Sequence, residues 1–187
     1  MKIFKFCLLP VLLLIAAFLA WGATLPSGWE ASAEVTIQAQ PAAIHAHVED
    51  LADWENWDAW HAKDPAIESS YSGEPGVDMT TEWVDGEGMK GKNVLVESDP
   101  SIGVTMNTSI GDFPAFEAVI AYERSGDATI VRWTSSGELP FIVRPVLALL
   151  SIGQPGLGEM VSSDYQQGLD QLKTLVEGES AAPAEEQ

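Results

Sequence analysis

The chain has 187 residues, 46% of them apolar, which is material for one domain with a real core and short extras at its ends. Twenty-eight acidic residues face nine basic ones, a formal charge of −19, and so negative a surface repels phosphate backbones and argues against nucleic-acid binding. A single cysteine, Cys7, allows no internal disulfide, so packing alone must hold the fold.

The first predicted element is an apolar helix. Residues 6–23 carry no charge, and Lys2 and Lys5 precede them. Eighteen helical residues rise roughly 27 Å, close to the thickness of a bilayer core. Ten of them are Leu, Ile, Phe or Val, with Cys7 as a further apolar filler, Pro10 near the start of the span and Trp21 at the interface. Residues 1–25 are therefore read as a membrane anchor, with 26–32 as a linker. A cleavable signal peptide is the alternative, through the small residues of Ala20-Trp21-Gly22, but the run is long for a signal and a tryptophan interrupts the site. Both readings leave the lysines inside and carry the domain across, which in a bacterium is the periplasmic side. Seven basic residues then remain against 28 acids, a charge of −21 on everything that follows.

Ala33 to Gln38 alternates apolar and polar residues as a half-buried strand does. Pro41 fits the first turn of a helix that buries Ile44, Val48 and Leu51. Trp54, Trp57 and Trp60 follow at spacing three, which predicts three indoles on one helical face. From 66 to 137 the period changes to two, giving strands at about 66–72, 77–84, 91–98, 102–109, 115–124 and 127–137. Gly and Asp punctuate them, and Ser125-Gly126-Asp127 reads as a tight hairpin. Phe141 to Ile152 is apolar apart from Arg144, Pro145 and Ser151. Burial in the core is the preferred reading, because an interfacial helix usually has a strongly polar face; a lid or bilayer-contacting surface is the alternative. After a break at Gly153–Gly156, a last helix places Val161, Tyr165, Leu169, Leu172 and Val176 on one stripe. Residues 178–187 form a solvated tail. A curved antiparallel sheet with helices on one side is an α+β arrangement.

These residues carry a resemblance. Ile37 to Ile44 with Pro41, then Val48 to Trp60 with its paired tryptophans, resembles the opening of polyketide cyclase/dehydrase-like proteins of the START-like (SRPBCC) superfamily. Tyr71-Ser72-Gly73, Gly76, Trp83, Gly91, Glu97 and the Arg132-Trp133…Gly137-Glu138-Leu139-Pro140-Phe141 corner continue it over 33–177. The resemblance implies a helix-grip fold, a sheet wrapped around a long C-terminal helix with a cavity between them. It also implies an apolar small molecule or lipid as the partner, and a membrane-anchored bacterial member of the group.

Few residues point to chemistry. His45 and His47 project about 200° apart on a helix and cannot share a metal, and His61 stands alone, so all three are expected at the surface with no metal site and no cofactor. No Gly-x-Ser-x-Gly elbow and no Cys/His pair after the anchor marks a nucleophile. Glu82 and Glu97 are the carboxylates worth naming as acid/base candidates on strands. The aromatic and sulfur side chains point instead to a ligand wall: Trp54, Trp57, Trp60, Trp83, Met106, Phe116, Trp133, Phe141, Met160 and Tyr165. For Trp54, Trp57 and Trp60, packing of a short helix on the sheet is the competing role. The leading expectation is a membrane-tethered binding protein. A cyclase or hydratase, and an interaction module meeting a protein partner in the cell envelope, are the alternatives.

Overall fold

A computed structural model describes residues 2–181, with side chains over 10–180. An N-terminal helix α1 (Lys2–Gly22) leads into strand β1 (Gly28–Ile37), helix α2 (Pro41–Val48), a 3-10 turn (Asp53–Asn56) and a one-turn helix α3 (Ala59–Lys63). Six strands follow: β2 (Glu68–Ser72), β3 (Thr80–Val84), β4 (Lys90–Asp99), β5 (Gly103–Ile110), β6 (Phe116–Ser125) and β7 (Ala128–Glu138). Helices α4 (Val143–Leu150) and α5 (Leu157–Ala181) close the chain. All seven strands form one antiparallel sheet in the order β1-β7-β6-β5-β4-β3-β2. It is a meander from β2 to β7, with β1 returned beside β7 by the register Gly28↔Glu138 to Ile37↔Thr129. The protein is α+β, a curved antiparallel sheet and a long C-terminal helix, consistent with the helix-grip arrangement.

The alternation of the six later strands holds to within a few residues. The two-residue turn Gly126-Asp127 joins Ser125 to Ala128, with Gly126 at a φ of +65° that suits glycine. The stripe on the last helix also holds, since Tyr165, Leu169, Leu172 and Val176 are all buried. Strand β1 starts five residues before its predicted beginning, so the stretch expected as linker is paired to β7 instead. Alternation fades there because Gly28, Trp29 and Glu30 give no apolar period for a sequence reading to follow.

Helix α5 packs along the outer edge of β1 and takes up some of its free backbone groups. The Ser32 and Gln38 N–H groups donate to Ser162 Oγ (3.0 Å) and Glu177 Oε1 (2.7 Å), and Lys173 Nζ donates to the Thr36 carbonyl (2.7 Å). Covering an edge strand in this way protects it from pairing with another chain. At the start of α5 the approach is so close that a Cβ on Gly158 would lie 2.2 Å from the Glu30 carbonyl oxygen.

Three expectations are corrected. The tryptophans do not share one helix: Asp58 is extended (ψ 158°) between the 3-10 turn and α3, so Trp54 and Trp57 turn into the core while Trp60 stays half outside. The segment 141–152 is not core. In α4 only Pro145 is buried, and Phe141, Ile142, Val146, Leu149, Leu150 and Ile152 of the segment are exposed, because α5 is the helix that packs on the sheet. His45 is not on the surface: it is 3% exposed, between Tyr122 Oη (Nδ1, 3.3 Å) and Ser98 Oγ (Nε2, 3.0 Å). Among the described residues no helix is long and apolar enough to cross a membrane. The anchor expected over 6–23 begins with residues 6–9, including Cys7, whose side chains lie outside the described ones, as do Lys2 and Lys5. The expected tail is partly helical, α5 running to Ala181, and its residues 182–187 lie outside the described residues.

Alanine is the better helix former by about 1 kcal/mol, yet the two glycines of α5 should respond oppositely. Gly158→Ala should lower the thermal midpoint through its collision with β1, whereas Gly178→Ala, with nothing within 4 Å, should leave it unchanged or raise it. Equal responses in thermal unfolding would show that α5 does not press on β1 at Gly158.

Candidate ligand cavity

Between the concave face of the sheet and α5 lies a cavity of about 410 Å3. Pleating sets its floor, because residues paired across neighbouring strands put their side chains on the same face. One such row runs Tyr71–Thr81–Asn93–Thr108–Phe116 across five strands, and all five side chains line the cavity. Beside it runs Ser69–Trp83–Gly91–Ile110. The Trp83 indole lies against Gly91, where a Cβ would come within 2.1 Å of the ring.

The back wall is aromatic. Trp133 on β7 stacks on Tyr165 of α5 with centroids 4.0 Å apart and planes at 7°, and Trp54, Trp57 and Trp60 meet Trp133 steeply inclined to it at 5.3–5.8 Å. The Tyr165 hydroxyl donates to Ser135 Oγ (2.8 Å), and burial pushes the phenol up to about 12. Trp29 and Phe116 meet edge to face at 5.0 Å and bound the cavity toward the β1–β7 end.

Of the residues expected to line a pocket, Trp54, Trp60, Trp83, Met106, Phe116, Trp133 and Tyr165 do so. Trp57 is fully buried behind the wall, its indole N–H donating to the His47 carbonyl (3.2 Å). Phe141 and Met160 are exposed and outside the cavity. Glu82 and Glu97 face away from it. Thr81 and Trp83 take the inward positions of β3, so Glu82 between them points out to Lys92 (2.9 Å). In β4 a bulge between Leu95 and Glu97 inserts one residue, which turns Glu97 out to Thr105 just where strict alternation would turn it in.

The polar atoms in this wall were not legible beforehand. Among the described residues, Thr81 Oγ1, Thr108 Oγ1 and Trp133 Nε1 are buried without a hydrogen-bond partner, and all three residues line the cavity. Each such group costs roughly 1–3 kcal/mol until something bonds to it. Asp58, His61 and Ser69 also line it. Asp58 accepts from the His61 backbone N–H (2.8 Å) and from Nδ1 (2.7 Å), and His61 Nε2 lies 3.1 Å from Ser69 Oγ. The hydrogen bond to Asp58 chiefly raises the His61 pKa, against the lowering effect of burial, and Glu55 adds to the rise. Tyr71 donates to Glu55 Oε1 (2.5 Å), and burial with that bond pushes its phenol up to about 12. The Asp-x-x-His spacing with Asp at the helix start was a usable signal; the serine eight residues on was not, since only the fold returns β2 to α3. His47 sits elsewhere, between Asp53 (2.6 Å) and Glu179 (3.1 Å), and among the described residues no three His, Cys, Asp or Glu are grouped to hold a metal.

A family model matches residues 28–177, and the chain belongs to the polyketide cyclase / dehydrase and lipid transport family. No curated protein matches it. Among solved structures it is similar to TTHA0849 from Thermus thermophilus (19% identity, TM-score 0.59, covering 81% of this chain and 99% of that one). CV1439 from Chromobacterium violaceum matches at 15% identity and TM-score 0.57 over 79% and 96% of the two chains. A Thalictrum norcoclaurine synthase, solved as a point mutant with a transition-state analogue, matches at 11% and 0.58 over 82% and 97%. At these identities the likeness establishes the shared fold.

The tyrosine on α5 gives a pH test. Its folded pKa lies above the unfolded value of 10, so its neutral form contributes stability that is complete below pH 10 and lost as pH rises through about 12. Tyr165→Phe should therefore lose less stability than the parent between those limits in denaturant titrations. An unchanged slope would mean that the phenol is not buried as described.

Proposed function

We propose that this chain is a membrane-tethered binding protein that holds a lipid-like or other apolar small molecule, carrying a few oxygen atoms, between the sheet and α5. The cavity carries the reading: it is largely apolar, walled by rigid aromatic rings, and within the size range of small-molecule sites. Removing an apolar ligand from water contributes roughly 25 cal/mol per Å2 and needs no catalytic group. Thr81, Thr108 and Trp133 add a preference for oxygen, since a carbonyl or hydroxyl on the ligand would take up hydrogen bonds that the protein leaves open. The family's description as a polyketide cyclase / dehydrase and lipid transport group supports the same class of ligand.

Tethering is supported by the uncharged run 6–23 behind two lysines and by the surface next to it. Gly22 at the end of α1 packs on Pro145 of α4, where a Cβ would lie 3.1 Å from the proline ring. Exposed apolar side chains occur both on α4 and on the described part of α1, such as Leu13 and Leu14. The one charge in α4 is turned back on its own loop, Arg144 Nε donating to the Leu139 carbonyl (3.0 Å). Helix α4 hangs between two cavity-lining residues, Leu139 and Leu157, so a bilayer beneath it would lie beside the cavity rim. The positive residues before the run support an orientation with the domain outside, on the periplasmic side in a bacterium. An enzymatic role of the cyclase or hydratase kind has one observation in its favour, the inward His61 with its raised pKa.

Native extraction of the full chain in mild detergent, followed by mass spectrometry, should find an oxygen-bearing apolar molecule at near-stoichiometric amount. A cavity that stays empty and binds no neutral apolar fluorophore counts against the reading. Thr108→Val should stabilise the empty protein by about 1 kcal/mol and weaken the ligand several-fold, because it removes an open hydroxyl. Carbonate washing should leave the full chain in the membrane and release a chain lacking residues 1–25; release of both would remove the tether.

A further inference from the structure

One group of side chains in the cavity wall is more than binding requires. Asp58 is the N-cap of α3 and its side chain is only 5% exposed. One of its oxygens accepts from the His61 backbone and the other from the ring at Nδ1, which fixes the tautomer with its proton on Nδ1. Nε2 is left as an acceptor, and Ser69 Oγ stands 3.1 Å from it. Carboxylate, imidazole and hydroxyl thus lie in relay order, contributed by α3 and the edge strand β2, and all three residues line the cavity. One diagonal step from Ser69 on the paired strand, roughly 7–8 Å away between backbones, is Thr81, whose buried hydroxyl has no partner among the described residues.

We propose that the cavity hydrolyses neutral esters of apolar acyl groups, with Ser69 as nucleophile, His61 as general base and Thr81 as a donor to the developing oxyanion. The inference rests on the reading of the cavity as an apolar ligand site. Ser69 Oγ forms a bond to the ester carbonyl carbon while its proton passes to His61 Nε2. The carbonyl electron pair moves onto oxygen, the charge that the proposal gives to the Thr81 hydroxyl, one diagonal step away on the paired strand. The intermediate then collapses, the bond to the alkoxy oxygen breaks, and His61 hands its proton to the departing alcohol. Water next attacks the acyl carbon, His61 takes its proton and returns it to Ser69, and the acid leaves. Ester and water become acid and alcohol, with no other reactant. Asp58 is a positioning residue: it holds the imidazole in the tautomer that can accept. A neutral ester suits a chain of net charge −19, and the carboxylate product is repelled by it.

The test uses the full chain in detergent with p-nitrophenyl octanoate as substrate, an alkyl fluorophosphonate as covalent probe, and N-phenyl-1-naphthylamine as a neutral reporter of the cavity. Hydrolysis and a phosphonate on Ser69 in peptide mapping are expected. Ser69→Ala and His61→Gln should each lower kcat/KM at least about a hundredfold, while the naphthylamine still binds. Asp58→Asn should keep α3 capped, because Asn caps as well as Asp, yet lower kcat through the wrong tautomer. The parent rate should rise with pH as His61 loses its proton, with a midpoint above the ordinary histidine value. Asp58 and Glu55 are the carboxylates that favour the charged ring, and Ser69, itself beside Tyr71, is its other polar partner. Asp58→Asn should move that midpoint down. Naphthylamine binding without hydrolysis or label, or hydrolysis that survives Ser69→Ala, overturns the ester inference and leaves the binding reading standing. Failure of the naphthylamine to bind the parent overturns both.

Discussion

The contact on which the rest depends is the stack of Trp133 on Tyr165. It joins the strand next to the β1 edge to the middle of the long helix, with the ring planes at 7° and the Tyr165 hydroxyl tied to Ser135. Trp54, Trp57 and Trp60 converge on the same indole from the segment before β2. Two large rings in parallel bury much area at little cost in rotamer freedom, so one point of contact sets the height of the helix over the sheet. Below that point Leu169, Leu172 and Val176 fill the space completely. Above it the sheet curves away, and the remaining volume is the cavity.

That volume is not uniformly apolar, and its polar atoms are arranged by the pleat. Tyr71, Thr81, Asn93 and Thr108 form one row because they are register partners on successive strands. A core meant only for packing gains nothing from buried hydroxyls without partners, whereas a site that fixes the orientation of an apolar guest needs a few. The proposed relay from Asp58 to Ser69 occupies the same wall, so binding and chemistry would share one orientation of the guest.

The surface divides as sharply as the interior. The strands' outer faces are polar, with acids such as Glu34, Glu82 and Glu97, while the segment 141–152 and the described part of α1 expose Val, Leu, Ile and Phe. Exposed apolar patches of this kind mark a contact with something that is not water. Since α4 is carried between Leu139 and Leu157, the patch and the cavity rim are neighbours by chain connectivity alone.

Much of the fold was legible because period and punctuation are local. Alternation with turn residues placed six strands, the 3.6-residue stripe placed the buried face of α5, and the tryptophan motif with the Gly137–Phe141 corner carried the resemblance to the family. Seven of the ten expected wall residues do line the cavity, since inward positions follow from the pleat. What failed was whatever depends on a neighbour far along the chain. The bulge at Val96 reverses Glu97 through its pairing with β5, and an apolar helix looks the same in sequence whether or not α5 already occupies the interior it would fill. His61 stood alone on the strand of letters; β2 returning past α3 is what sets Ser69 against it. By itself the sequence determined the six later strands, the inward faces of most strands and of α5, and the acidic character, all of which arise from spacing and composition along the chain. Only the tertiary structure decided which polar groups meet inside the cavity, because that is fixed by strand register and by the point where the helix is stacked on Trp133.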